Sequence, residues 1–298
     1  MPLLESLRVN DPDDDELEID VHASGGTSLP RITLPRLKSL YVDPVTALEK
    51  YLEVLEHLVP APGFSFCSMR TEPFPLDLAD FRAIQQIICS YLHILFRGKC
   101  PYYLRIIQTS NLFRLHLSRD FYEFDFELDF VTWEEDVPVL LETVRSISLE
   151  YTTTFSLDIH TGALRLSNTS LNRVVSSMVS VEELRVTADS LRLLLSLPTA
   201  TENILLPQLE TLELEGDCDV TFLVEFLTQR RALELPIQLL SFYERDLLLH
   251  EHCGELRNCL YALEQFDGMK VTWLPFGESA VREYICGSGN PDLRVDNS

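Results

Sequence analysis

Leu206-Pro-Gln-Leu-Glu-Thr-Leu-Glu-Leu214 places Leu209, Leu212 and Leu214 on the template L-x-x-L-x-L, in which a short strand sends its leucines to one side. Asp217 to Asp219 follow as candidate helix caps, and an amphipathic run extends from Val220 to Arg231. A single strand, turn and helix cannot bury its own apolar face, so the unit predicts neighbours of the same kind.

Those neighbours recur along the chain. Leu34-Pro-Arg-Leu-Lys-Ser-Leu-Tyr-Val42 repeats the pattern with Leu37, Leu40 and Val42 inward, and Leu4, Leu7 and Val9 precede it. Val144, Ile147 and Leu149, then Val181, Leu184 and Val186, then Ile237, Leu240 and Phe242 fit the same template. With Leu115 included, the middle positions are 7, 40, 115, 147, 184, 212 and 240. Most intervals exceed those of regular leucine-rich repeats, which predicts long helices and degenerate units.

Helix signals fall between these strands. Asp43 and Pro44 open a run whose apolar face is Val45, Leu48, Leu52, Leu55 and Val59, with Pro60 as its stop. Gly63-Phe-Ser-Phe66 alternates as a short strand should, and Ala79 to Arg97 is the clearest helix, stopped by Gly98. Thr132-Trp-Glu-Glu135 fits a capping box for a short helix through Leu141. Ser170 to Met178, Asp189 to Leu197 and Asp246 to Phe266 complete the predicted helices.

Residues 104–107, 112–117 and 122–130 read as consecutive strands. In the last, Phe124, Phe126, Leu128 and Phe130 alternate with Glu123, Asp125, Glu127 and Asp129, giving one apolar and one acidic face. Two-faced strands predict an antiparallel excursion. Phe155 to His160 and Ala163 to Ser167 read as a hairpin, and Gly268 to Leu274 as the last strand. Asp11 to Glu16 and Ser24 to Ser28 read as solvated connectors.

The fold class expected is therefore α/β: an irregular leucine-rich-repeat solenoid, parallel strands alternating with helices, with an antiparallel strand insertion near 104–130. One domain over 1–286 is expected, with first repeats and helices at 1–99, a β-rich insertion at 100–167 and C-terminal repeats at 168–286. Residues 287–298 are expected to be a flexible tail.

Composition agrees with a globular chain: 298 residues, 46% apolar and 24% charged, with leucine at 53 positions. The net charge of −23 repels a phosphate backbone and an anionic bilayer alike, so neither nucleic acid nor membrane is an expected partner. No apolar run spans a bilayer, and the N-terminus has acidic residues where a signal peptide is basic. Seven irregularly spaced cysteines then read as reduced thiols, which places the chain in the cytoplasm or nucleus.

Catalytic chemistry finds no constellation. His250-Glu-His-Cys253 lacks the second histidine of a zinc-protease helix, because position 254 is Gly254. Phosphate-binding glycine loops and the nucleophile elbow are missing, and His116 and His160 lie in strand patterns. No enzyme activity, cofactor or metal is expected.

The chain resembles the leucine-rich-repeat portion of fungal F-box proteins, through Leu34-Pro-Arg-Leu-Lys-Ser-Leu40 and Leu206 to Leu214. Phe222-Leu-Val-Glu-Phe-Leu-Thr-Gln-Arg-Arg231 with Pro236 is similar to that family's helix between repeats, and Gly268 to Trp273 to its terminal strand. The resemblance implies a non-enzymatic protein-binding module, the substrate-recognition half of a ubiquitin-ligase receptor. The adaptor Skp1 is expected only if an F-box lies upstream of this chain, since none precedes Leu4. A truncated family member acting as a scaffold, or retaining no function, is the first alternative, and a cryptic enzyme is the last. Partner contacts are expected from residues lying outward between the inward leucines: Arg36, Lys38, Ser39, Tyr41, Glu210, Thr211 and Glu213.

This assignment of faces makes a direct prediction. Leu212→Asp buries an unpaired charge and should unfold the neighbouring repeats, whereas Glu213→Ala should leave stability nearly unchanged. Urea denaturation of both variants checks it, and equal behaviour would reverse inward and outward.

Overall fold

The computed structural model describes residues 3–9, 31–42, 48–61, 63–71, 78–129, 137–160, 168–197, 204–216, 219–243, 253–274 and 280–289. The elements in chain order are β1 (Ser6–Val9), β2 (Ile32–Leu34), β3 (Ser39–Val42), α1 (Leu48–His57), β4 (Leu58–Pro60), β5 (Phe66–Arg70) and α2 (Leu78–Leu95). They continue as β6 (Tyr103–Gln108), β7 (Leu112–Arg119), β8 (Tyr122–Asp129), α3 (Val137–Val144), β9 (Thr154–Ile159), α4 (Asn168–Ser177) and β10 (Glu183–Thr187). The last are α5 (Ala188–Ser196), β11 (Thr211–Glu215), α6 (Val220–Ala232), β12 (Leu239–Tyr243), α7 (Cys253–Leu263), β13 (Lys270–Trp273) and β14 (Arg282–Ile285). The protein is α/β, with mostly parallel strands alternating with helices and some antiparallel strands.

The chain divides into two compact units, Met1–Leu149 with Arg165–Val174, and Glu150–Leu164 with Val175–Ser298. In the first unit β1, β3, β5 and β8 pair in parallel, and β7 and β6 then add antiparallel. Leu7, Leu40, Cys67 and Phe124 face one another across these four parallel strands. In the second unit β9 to β13 are parallel and β14 is antiparallel to β13. Phe155, Leu184, Leu212, Leu240 and Val271 form one rung there, and each is fully buried. The next rung is Leu157, Val186, Leu214, Phe242 and Trp273. Each such side chain removed from water contributes about 1.5–3 kcal/mol against the entropy of ordering its strand.

A common turn delivers the chain into several of these strands. The amide of Leu37 donates to the Leu34 carbonyl (3.1 Å), Phe64 to Ala61 (3.0 Å), Leu209 to Leu206 (3.1 Å) and Met269 to Phe266 (3.1 Å). Both ends of each turn are buried apolar side chains. The sequences are Leu-Pro-Arg-Leu, Ala-Pro-Gly-Phe, Leu-Pro-Gln-Leu and Phe-Asp-Gly-Met, with turn-forming residues between the two anchors. Beyond the turn, one carbonyl of each unit accepts two amides of the next. Thr153 receives Glu182 and Glu183, Glu182 receives Glu210 and Thr211, and Glu210 receives Gln238 and Leu239.

Arg230 on α6 fixes the best of these turns. Its side chain is only 4% exposed, and it donates to the carbonyls of Leu205 (3.1 Å), Leu206 (2.9 Å), Leu209 (3.0 Å) and Leu235 (3.2 Å). Leu206 lies at a φ of 51°, a left-handed conformation unusual for leucine, so these bonds help hold a strained corner. Asp219 caps the same helix by accepting the Thr221 amide at 3.0 Å.

Several expectations need correction. Val59 belongs to β4, paired with β2, rather than to a helical face, because α1 ends at His57. The strand expected at Gly63–Phe66 begins at Phe66 and runs to Arg70, with Cys67 and Met69 inward where no leucine announced them. Leu115 sits on antiparallel β7, and Phe124 takes the parallel rung instead. Only β6 and β7 are therefore additions to the ladder, since β8 pairs in parallel with β5. Ile147 lies in the turn after α3, and the next parallel strand is β9. β9 pairs in parallel with β10; its proposed hairpin partner at 163–167 lies outside the described residues. Thr187, not Asp189, accepts the Ser190 amide and caps α5. β13 is not the last strand, because β14 returns along it. Asp43, Pro44, Thr132–Glu135 and the connectors at 11–16 and 24–28 also lie outside the described residues.

Arg230→Met should cost about 3 kcal/mol in urea unfolding, because it strips buried carbonyls of their donors. Arg231→Met should cost under about 1 kcal/mol, since the exposed Arg231 donates to the Gln265 carbonyl at 2.7 Å and lies 4.8 Å over the Phe266 ring, both in reach of water. Equal losses would show that Arg230 does not hold the turn.

Candidate interaction surface

Alternation along each strand sends one set of side chains into the core and the other outward. In the second unit the rung on the other face is Ser156, Arg185, Glu213, Ser241 and Thr272, of which Ser156 is buried. Arg185 is its centre. Its Nε lies 2.7 Å from Glu183 Oε1 on its own strand and 3.3 Å from Glu213 Oε2 on the next. Burial pushes the Glu213 carboxyl above the usual glutamate range; Arg185 opposes this, while Glu183 and Glu215 reinforce it.

In the first unit the outward rung contains Tyr41, Ser68, Asp125 and His116. Asp125 is only 6% exposed and receives a two-pronged bond from Arg114, Nε at 3.0 Å and Nη2 at 3.1 Å. Arg70 stands 3.7 Å from it, His116 Nδ1 3.7 Å, and Arg114 also reaches Glu127 at 3.3 Å. Burial raises the Asp125 carboxyl, but His116 and Arg114 outweigh this and hold it below the ordinary aspartate range. Tyr103 packs edge-on against His116 at 5.5 Å. The acidic face expected of β8 is therefore charge-compensated across strands at Asp125 and Glu127. Its partners come from β5 and β7, which alternation within β8 could not reveal.

The expected contact residues fall in two groups. Arg36, Lys38 and Tyr41 lie in the first unit; Glu210, Thr211 and Glu213 lie in the second. Arg36 is exposed. Lys38 pairs with Glu5 at 2.9 Å and uses its carbonyl to receive the Ser65 and Phe66 amides. Tyr41 is 37% exposed and stacks on Phe66 with centroids 4.8 Å apart. Ser39 opens β3 beside it, half-buried. Glu210 is exposed, Thr211 begins β11, and only Glu213 joins a charge cluster. Asp125 was legible on the acidic face of β8, but Arg185, Glu183, Arg114 and His116 were missed as members of the surface, because register across strands is what assembles them.

His250, Glu251 and His252 lie outside the described residues, while Cys253 opens α7 and Cys259 is buried within it. Among the described residues no helix is long and apolar enough to cross a membrane. No protein-family model matches the chain, and no curated protein and no solved structure matches it.

The two carboxyl shifts have opposite consequences. Asp125 titrates lower when folded, so its charge stabilises at neutral pH and that contribution is lost as pH falls through the folded value. Glu213 titrates higher when folded, so its charge destabilises above that value and the deficit vanishes at lower pH. Asp125→Asn should therefore cost about 2 kcal/mol at pH 7, with the cost shrinking only below the ordinary aspartate value of about 3.9. Glu213→Gln should raise the unfolding midpoint at pH 7, and the gain should be gone below about pH 4.3. Thermal unfolding from pH 3 to 8 checks both, and an unchanged midpoint for Asp125→Asn would refute the first.

Proposed function

We propose that this chain is a non-enzymatic protein-binding module, built as an irregular leucine-rich-repeat solenoid and serving as the substrate-recognition half of an F-box ubiquitin-ligase receptor in the cytoplasm or nucleus. The observation that carries the reading is the rung Phe155, Leu184, Leu212, Leu240 and Val271, in register across five parallel strands. These positions follow one another at intervals of 28 to 31 residues, far more evenly than the template positions taken from the sequence. Repeated strands of that kind offer an extended surface for a protein partner, and function lies in the outward side chains. Arg36, Lys38 and Tyr41 in one unit, and Glu210, Thr211 and Glu213 in the other, are the proposed readers. Recognition is by surface complementarity and needs no cofactor. Skp1 docking is part of this reading only if an F-box lies upstream of this chain.

The test is immunopurification of the full-length protein from its native cells. Skp1, a cullin and a substrate protein should copurify. Charge reversal at Glu210 and Glu213, or at Arg36 and Lys38, should release the substrate and leave Skp1 in place. Absence of Skp1 and cullin would sink the receptor reading. A substrate retained by both sets of variants would sink the assignment of the readers.

A further inference from the structure

We propose that β14 is a strap over the edge of β13 that opens independently of the rest of the second unit and, while closed, keeps a second copy of this chain from pairing there.

The edge beneath β14 is made like the interior of the sheet. β13 pairs with β12 in parallel register, and its Val271 and Trp273 lie on the two buried rungs. The Lys270 amide donates to the Gln238 carbonyl, on the β12 side, at 2.9 Å. Amides along a strand point alternately to its two neighbours, so those of Val271 and Trp273 face β14. Without β14 they would lie open beside valine, threonine and tryptophan, residues that favour strands. An open edge of that kind is a template for another chain. A second copy carries a strand already shaped to it, its own β14.

β14 is itself a poor template. It is four residues long, carries Arg282 and Glu283, and runs antiparallel to β13, whereas β9 to β13 pair in parallel. Short, charged strands are a common defence of a sheet edge.

The hold of β14 on its unit is narrow. Among residues 280–289 only Tyr284, 4% exposed, and Cys286, fully enclosed, are buried. Glu264, just past α7, is the latch. One carboxylate oxygen accepts the Tyr284 hydroxyl, and the other accepts the Gly287 amide at 3.2 Å. Gly268 donates to the Cys286 carbonyl at 3.0 Å, and Cys286 to that of Met269 at 2.9 Å. Position 287 demands glycine. Its φ is 80°, and a Cβ there would stand 2.1 Å from Asp267 Oδ1 and 3.2 Å from the Asp267 Cα. Two buried side chains and one carboxylate thus close the strap. β10, β11 and β12 are bonded on both edges and buried in the ladder, so β14 opens before they do.

Native-state hydrogen exchange on the full chain, read by NMR at single amides, tests the strap. In the parent, Val271 and Trp273 should exchange faster than Lys270 and Thr272, whose amides face β12, although all four share one strand. Tyr284→Phe removes only a hydroxyl bound to a carboxylate. It should speed Val271 and Trp273 about tenfold more and leave Lys270 and Thr272 unmoved. Gly287→Val should open the strap further, and both variants should sediment as larger species with rising concentration where the parent does not. Because Gly287→Val also strains the backbone, Tyr284→Phe decides where the two differ. The proposal is overturned if all four amides exchange at one rate in the parent, or if Tyr284→Phe leaves Val271 and Trp273 unchanged. It is overturned too if Tyr284→Phe speeds the amides of β10 and β11 equally, since β14 would then open only with the whole unit. Faster exchange at Val271 and Trp273 with sedimentation matching the parent would sink the guarding role.

Discussion

The rung of inward side chains across parallel strands is the constraint on which the rest of the second unit depends. Phe155, Leu184, Leu212, Leu240 and Val271 are Cα partners, and a slip of one residue in any strand would turn its apolar set outward. Register is therefore specified by burial. The same constraint fixes what lies on the opposite face: once Leu184 and Leu212 point inward, Arg185 and Glu213 must emerge side by side. The charge cluster there is a consequence of the core, not an independent feature.

Register also needs a mechanism at strand entry, where the backbone must change direction. At Leu34–Leu37 and Leu206–Leu209 the Leu-Pro-x-Leu corner supplies it by anchoring two apolar residues while the intervening pair makes the turn. At Leu206 to Leu209 the corner needs more, since a leucine occupies left-handed space there. Arg230 contributes up to five donors in a rigid fork, and no shorter or single-headed side chain could reach four carbonyls from one helical position. Burial lowers its pKa, a sign of the desolvation this arrangement costs. An arginine that reads as an ordinary polar end of a helix is therefore part of the core of the next turn.

How much of this was legible follows from which interactions are local. The strands at Leu37–Val42, Leu184–Val186, Leu212–Leu214 and Leu240–Phe242 carry leucine at the template positions, and the pattern finds them. The rungs at Cys67, Phe124, Phe155 and Val271 are filled by other apolar residues, and a leucine template passes over them while accepting Leu115 and Ile147 by chance. Burial demands apolar volume, not leucine. Among the expected contact residues, outward placement was legible from alternation alone. The pairing of Arg185 with Glu213, and of Arg114 with Asp125, was not, because partners on different strands meet only through register.

That pairing changes what the net charge of −23 means for recognition. The summed field favours basic partners at long range, yet at physiological salt it is screened beyond about 8 Å. Within that distance the outward faces are mosaics. Asp125 is enclosed by Arg70, Arg114 and His116, and Arg185 is divided between Glu183 and Glu213. A partner docking on such a mosaic gains little from bulk charge and loses if it separates a pair without replacing it, because each half-buried ion would then stand unpaired. Selectivity on these faces therefore lies in matching positions of charge rather than their sum.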